Sequence, residues 1–484
     1  MFRRSGILLW NELAWEEHEL AVELPATRAG TALAGYLHAF NSGNIGALRA
    51  YIATHFAEGG RAEHTAVQRA AMAAQLRSLT QGFDPRRIES TTEHEITVLA
   101  QARLDGHWAR IELHVESEPP FRISAVTTRR MPAPADARRH GQLSEGEIVR
   151  DLTDYLEKVI AADLFSGVVL VARDGVPIYR HAAGLASVAY NVPMRPDTKL
   201  NLGSMNKMLT AVAIAQLAEQ GRVALDQPIG AYLPTYPCAV ADRVTVHHLL
   251  THTSGLGSYW NERFEASRAR IRTVSDMLAL FVDDPLAFEP GTRWHYSNSG
   301  YIVLGAIVEA VTGNSYFEYV REHIALPAGM RDTDAYEMDQ EVQNRAMGYT
   351  HTGLDGLFDP GPRRNNLFLH VVKGGPAGGG FSTVEDLLRF AEALRGHRLL
   401  GAAYTELLLA GKVTIREGNQ YAYGFHDERV NGIRIVGHGG GFAGINGQLD
   451  IYLDRGYTVA VLANYDPPAA QSVAEKLREL ITQD

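Results

Sequence analysis

Ser204 and Lys207 stand three residues apart at the head of a helical run that ends near Gln220, in the stretch Leu202-Gly203-Ser204-Met205-Asn206-Lys207-Met208-Leu209-Thr210. On a helix, positions i and i+3 share a face, so Oγ and Nζ can meet without any distant segment to unite them. An amine held unprotonated in a dry site can serve as base to a hydroxyl that is otherwise a poor nucleophile. The helix N-terminus supplies backbone N–H groups and a positive dipole end suited to a developing oxyanion. Two common residue types at one spacing also describe a capping Ser beside a solvated Lys, so the pair needs partners.

Two further stretches offer them. In Tyr296-Ser297-Asn298 a Tyr hydroxyl, its pKa lowered by a neighbouring ammonium, could shuttle a proton, and Asn carries both a donor and an acceptor. A second Tyr-x-Asn, Tyr259-Trp260-Asn261, has the same pattern. Tyr296 is favoured because it enters the apolar helix Gly300 to Thr312, whereas Tyr259 lies in a Gly/Ser-rich loop and reads as part of an entrance. The other stretch is Val436-Gly437-His438-Gly439-Gly440-Gly441-Phe442, between two strands. Glycines there would let a substrate approach the backbone, whose N–H groups could complete an oxyanion hole. A plain glycine-rich connection is the competing reading.

The elements that must position these residues fall into two parts. Residues 1–26 form an N-terminal extension whose apolar core is too short for a signal peptide. From 27 to 130, helical spacing over Thr31 to Phe40, Ile45 to Ala57 and Thr65 to Leu79 gives way to alternation. Ile111, Leu113 and Val115 alternate with Arg110, Glu112 and His114, with neighbouring strands expected at 93–103 and 121–128. Residues 131–141, rich in Pro, Ala and charge, read as a linker. The second part, 142–484, opens with an amphipathic helix over Ser144 to Ala162. A hairpin follows, turning at Asp174-Gly175. Its C-terminal end has strands at 433–436, 447–453 and 458–463 and a closing helix near Ala469 to Ile481. Strands at both ends around a helical middle imply one antiparallel sheet built from distant segments, an α+β class.

Helices followed by an antiparallel sheet, with Ala39-Phe40-Asn41-Ser42-Gly43-Asn44 between the first helices, make the N-terminal part similar to NTF2-like α+β cones. That resemblance implies a packing or dimerising scaffold, or a small-molecule pocket, and a homo-oligomer through this domain. The second part resembles the β-lactamase-like, penicillin-recognising serine hydrolases, nearest to family VIII carboxylesterases and class C β-lactamases. The likeness rests on Ser204-x-x-Lys207, Tyr296-Ser297-Asn298 and the glycine stretch in this order. Leu249 to Leu256, Gly378 to Thr383, Arg293-Trp294-His295 and Tyr423-Gly424-Phe425 support it. It implies a β-lactamase/transpeptidase-like antiparallel sheet flanked by helices, with a helical subdomain. Ser204 would be the acylated nucleophile, Lys207 its activator and Tyr296 the proton shuttle. Asn298, His438, Gly439 and Gly440 would bind substrate, and the N–H groups of Ser204 and Gly441 would form the oxyanion hole. The familiar third motif is Lys-Thr-Gly; His438-Gly439-Gly440 departs from it and turns the expectation from β-lactams and D-amino-acid peptides toward short-chain carboxylic esters. A non-catalytic ligand-binding or sensing protein is the reading from another class, and an intact Ser/Lys/Tyr set speaks against it.

Composition narrows the rest. With 45% hydrophobic and 21% charged residues the chain is of globular type. A net charge of −10 without a basic tract disfavours nucleic acid. No apolar run reaches the length of a membrane span. A cytoplasmic location is favoured in the absence of a convincing signal peptide, with a periplasmic or secreted one open if a leader was trimmed. The lone Cys238 excludes a disulfide within the chain and reads as a small buried hydrophobe. His248 and His252 stand four residues apart, but without His-Glu-x-x-His they do not argue for a metal. No metal or cofactor is expected, and no Gly-x-Ser-x-Gly elbow points to an α/β-hydrolase.

Overall fold

The computed structural model describes residues 22–58, 64–137, 141–353 and 356–483. It divides into two compact units, 1–138 and 139–484. Most of the expected N-terminal extension, and residues 138–140 of the expected linker, lie outside the described residues. The rest of the linker is partly ordered: Ala135–Ala137 form a turn, and Asp136 pairs with Arg87.

In the first unit, helices α1 (Arg28–Asn41), α2 (Ile45–His55) and α3 (Ala66–Thr80) precede an antiparallel meander. Its strands are β1 (Phe83–Thr91), β2 (Glu95–Ala102), β3 (Trp108–Val115) and β4 (Ile123–Met131). Side chains of Thr27, Asn44 and Thr65 accept from backbone N–H groups to cap the three helices. Ile111, Leu113 and Val115 are buried with Leu33, Leu37, Phe40 and Ile52, so the alternating face of β3 meets the helices as its period requires. β1 was not expected as a strand. Register shifts between Pro85 and Arg87 and between Ile88 and Ser90 destroy its period of two, and Pro85 is tolerated because β1 is an edge strand.

In the second unit, α4 (Glu145–Ala161) leads into the hairpin β5 (Gly167–Arg173) and β6 (Val176–Ala183). The helical middle includes α5 (Asn206–Glu219), α6 (Asn298–Thr312) and α7 (Val384–Arg395). The chain then forms β7 (Val413–Arg416), β8 (Asn419–Tyr421), β9 (His426–Val430), β10 (Ile433–Phe442), β11 (Ile445–Tyr452) and β12 (Tyr457–Ala463), and closes with α8 (Ala469–Ile481). All eight strands share one sheet in the order β7-β8-β9-β10-β11-β12-β5-β6, each pair antiparallel. The first hairpin therefore docks beside the last strand, as the split pattern of strands implied. Every residue of β12 is buried, as a central strand covered on both faces must be.

Two expectations fail here. The glycine stretch is no connection: β10 runs through Phe442 and pairs Gly439 with Gln448, Gly440 with Gly447 and Gly441 with Asn446. The link to β11 is only Ala443-Gly444. Cys238 is exposed rather than buried, at the first position of a short helix whose core contacts come from Val240 and Ala241.

Candidate active site

Ser204 lies in a single 3-10 turn, Gly203–Met205, immediately before α5 and not within it. The turn is forced by contact. Gly203 has φ +50°, and a β-carbon on it would stand 3.1 Å from the Gly441 nitrogen. A β-carbon at Gly440 would lie 2.0 Å from the Leu202 carbonyl oxygen and 3.1 Å from the Ser204 nitrogen. Glycine at both positions lets the Ser204 turn rest directly on β10, bringing the N–H-bearing atoms of Ser204 and Gly441 to one place. β9 pairs with β10 only as far as Gly437, so among the described strands one edge of β10 from His438 to Phe442 has no partner. Asn446 fixes that end: its Nδ2 donates to the Gly440 carbonyl at 2.8 Å, and its Oδ1 accepts from the N–H groups of Ala470 and Gln471.

The other side of the turn is held by Asn201 and by Gly378 to Phe381. Asn201 Oδ1 accepts from Gly203 N–H at 2.9 Å, Leu202 N–H donates to the Gly380 carbonyl at 2.7 Å, and Asn206 Oδ1 accepts from Gly380 N–H at 2.9 Å. Ser204 itself is half-buried and remains reachable.

Almost every residue of α5 from Asn206 to Ala218 is buried, a helix with no polar face. Lys207 on it has no exposed surface. Its Nζ donates to Asn298 Oδ1 at 2.7 Å and to the Ala377 carbonyl at 2.6 Å. Among the described residues no carboxylate pairs with it, and burial holds its pKa well below the ordinary lysine value. A neutral amine has two N–H bonds and one lone pair. Both N–H bonds are spent on these carbonyl oxygens, so the lone pair stays available to a proton.

Tyr296 is half-buried just before Ser297, whose hydroxyl caps α6 by accepting from Gly300 N–H. Ser204 lies close enough to its hydroxyl to favour the ionised phenol, and Lys207 Nζ lies 4.8 Å from its ring centre. The expected lowering of the Tyr pKa is not found. Burial pushes the phenol up, the neighbouring Ser204 opposes this only in part, and burial also lowers the pKa of the amine that was to supply positive charge. The structure thus brings Ser204, Lys207, Tyr296 and Asn298 together, and places Gly439, Gly440 and Gly441 along the free strand edge.

His438 departs from its expected place. It is 3% exposed, and both ring nitrogens are committed: Nδ1–H donates to the Gly439 carbonyl, and Nε2 accepts from the Tyr421 hydroxyl at 3.0 Å. Burial holds its pKa well below 6.5. The ring is therefore a neutral wedge and not a cation offered to a substrate carboxylate.

Sequence reasoning missed Ala377, which acts through a backbone oxygen, and Tyr421 and Asn446, which sit in strands. It also set His252 aside with the metal question. His252 is 1% exposed, its Nδ1 accepts from Ser297 N–H at 3.1 Å, and its ring lies 4.3 Å from Tyr296 and 4.6 Å from Tyr421. It fixes the segment that carries Tyr296. His248, its supposed metal partner, instead accepts from Thr245 N–H in a capping box. No metal-ligand cluster occurs among the described residues, and no described helix is long and apolar enough to cross a membrane.

Comparison with known proteins agrees with this geometry. The Beta-lactamase family profile matches residues 152–483, more than half of the chain. Penicillin-binding protein 4* of Bacillus subtilis is 31% identical over 313 residues, covering 62% of this chain and 68% of that protein. Esterase EstB of Burkholderia gladioli is 36% identical over 265 residues, covering 48% of this chain and 66% of that protein. The crystal structure of a penicillin-binding protein from Bacillus halodurans superposes with a TM-score of 0.60 at 31% identity, over 70% of this chain and all of that one. With its antiparallel sheet, its Ser/Tyr pair around a buried Lys and this profile match, the chain belongs to the Beta-lactamase family of serine hydrolases.

Proposed function

We propose that the chain hydrolyses carboxylic esters of short-chain acyl groups through an acyl-enzyme on Ser204. In the first step Ser204 Oγ bonds to the ester carbonyl carbon, its proton passes to the Tyr296 oxygen, and the Tyr296 proton passes to the Lys207 lone pair. The oxyanion is held by the N–H groups of Ser204 and Gly441. Collapse breaks the bond to the alkoxide, which takes its proton back along the same path. Water then repeats the sequence on the acyl-enzyme and frees the acid. Asn298, with Oδ1 on Lys207, retains its amide N–H bonds for the acyl-side carbonyl. Gly439 and Gly440 offer backbone to the substrate, and His438 shapes that strand from beneath.

The observation that favours esters is His438. Buried, neutral and bonded at both nitrogens, it leaves the third motif without a fixed cation for the carboxylate of a β-lactam or a peptide C-terminus. An ester needs no such anchor. The relatives pull both ways, one being an esterase by name and another a penicillin-binding protein. Parallel turnover of 4-nitrophenyl acetate or butyrate and of nitrocefin decides between them. The ester rate is expected to exceed the nitrocefin rate, and a faster nitrocefin rate would make the enzyme a β-lactamase or D-peptide hydrolase. The first unit serves in this proposal as an NTF2-like scaffold for self-association, which size-exclusion chromatography with light scattering on the full chain and on 142–484 would check.

A further inference from the structure

The second Tyr-x-Asn segment takes no part in the proton path, yet it ends in an exposed aromatic surface beside it. Trp260 is 43% exposed. Its ring is stacked on Phe442 at 5.0 Å and 28°, on Tyr259 at 5.4 Å and 21°, and packs against Phe264 at 4.8 Å. His370 also packs against Phe442, with ring centres 5.2 Å apart. Three separate segments thus converge: the loop before the helix Glu262–Ser267, the turn after Leu367–Leu369, and the end of β10.

The location ties this wall to the chemistry. Phe442 directly follows Gly441, on the strand edge that has no partner. Tyr259 is close enough to Tyr296 to oppose its ionisation. The loop is also held in place. Asn261 Oδ1 accepts from Phe264 N–H, its Nδ2 donates to the Leu280 carbonyl at 3.1 Å, and Trp260 N–H donates to Ser258 Oγ. The wall carries no charge at neutral pH, since burial and the nearby Arg268 push His370 down to about 4. A braced, uncharged aromatic cluster beside an acyl-transfer centre matches one chemistry best, because two aromatic rings gain a stacked or edge-to-face term that an aliphatic ring of equal size does not.

We infer that Trp260, Phe442 and His370 form an aryl subsite that receives an aromatic ring carried by the substrate. The inference rests on the ester-hydrolase reading for its substrates, and the ring can sit in the acyl or the alcohol portion. Two matched pairs separate these: methyl phenylacetate against methyl cyclohexylacetate, and benzyl acetate against cyclohexylmethyl acetate, followed by pH-stat. The aryl member of at least one pair is expected to lead in kcat/KM by roughly fivefold or more. That ratio should fall toward one in Trp260→Leu and be retained in Trp260→Phe. Equal rates within both pairs for the native chain, or a ratio unmoved in Trp260→Leu, would overturn the subsite. If no ester is turned over, isothermal titration with phenylacetate and cyclohexylacetate still decides. Selective phenylacetate binding that Trp260→Leu abolishes would support the subsite while the ester reading falls, and indifference between the two acids would remove the subsite as well.

Discussion

Tyr296-Ser297-Asn298 and Tyr259-Trp260-Asn261 share a three-residue pattern and end in opposite roles. Both patterns run into a helix start, but one residue out of step. At the first, Ser297 caps α6, which frees Asn298 to enter the helix and present its carbonyl to Lys207. At the second, Asn261 is itself the cap: its side-chain oxygen accepts from Phe264 N–H, and its Nδ2 donates to the Leu280 carbonyl. A shift of one residue in where the helix begins decides which Asn reaches the reaction. The two tyrosines differ likewise: one lies against Lys207, and the other stacks in the aromatic wall. Pattern proposes, and helix register disposes.

Substitutions at matched positions can break this contrast. The largest difference is expected at the phenols. Tyr296→Phe removes the proton path and should lower kcat/KM for 4-nitrophenyl acetate by roughly a thousandfold, whereas Tyr259→Phe should lower it by less than about tenfold. Comparable losses in both would deny that only one segment is in the proton path. The amides come next. Asn298→Ala leaves a Lys207 N–H bond without its acceptor and should cost roughly ten- to a hundredfold in kcat/KM. Asn261→Ala should leave the rate near native and destabilise by about 1 kcal/mol, read as a lowered Tm of the catalytic unit, as loss of a helix cap does.

A smaller effect sharpens the electrostatics. Lys207 acts as base only when neutral, so activity is present above its lowered pKa and is lost as pH falls through it. Tyr296 is raised and must stay protonated at rest, so no alkaline fall is expected below about pH 10. Asn298→Ala admits water beside the amine, which moves the Lys207 pKa back toward its ordinary value and shifts the acid limb to higher pH. In Asn261→Ala the limb should not move. A pH–kcat/KM profile for each variant checks both.

How much of this could be read from the chain depends on the range of the forces involved. Ser204 and Lys207 were legible because three residues along one turn need nothing distant. The hairpin at Asp174-Gly175 and the closing helix were legible through local turn chemistry and one apolar stripe. The strand character of Gly439 to Phe442 was hidden, since glycines carry no alternation and their place in β10 is fixed by pairing with β11. The lowered Lys207 pKa and the raised Tyr296 pKa were hidden as well. Both follow from burial by segments nearly a hundred residues away or more, Ala377 and Asn298 among them, and a sequence pattern carries a side chain's identity but not its solvent. The surroundings of His438 were hidden for the same reason: its type placed it among the substrate-binding residues, and its neighbours engage both ring nitrogens within the protein.

The claim on which the rest depends is covalent. Intact-mass spectrometry of the quenched reaction with an ester panel and a penicillin, followed by peptide mapping, tests it directly. The account predicts a mass increment equal to the acyl group of the ester, located on the peptide bearing Ser204 and absent in Ser204→Ala. Undiminished ester turnover by Ser204→Ala would contradict it.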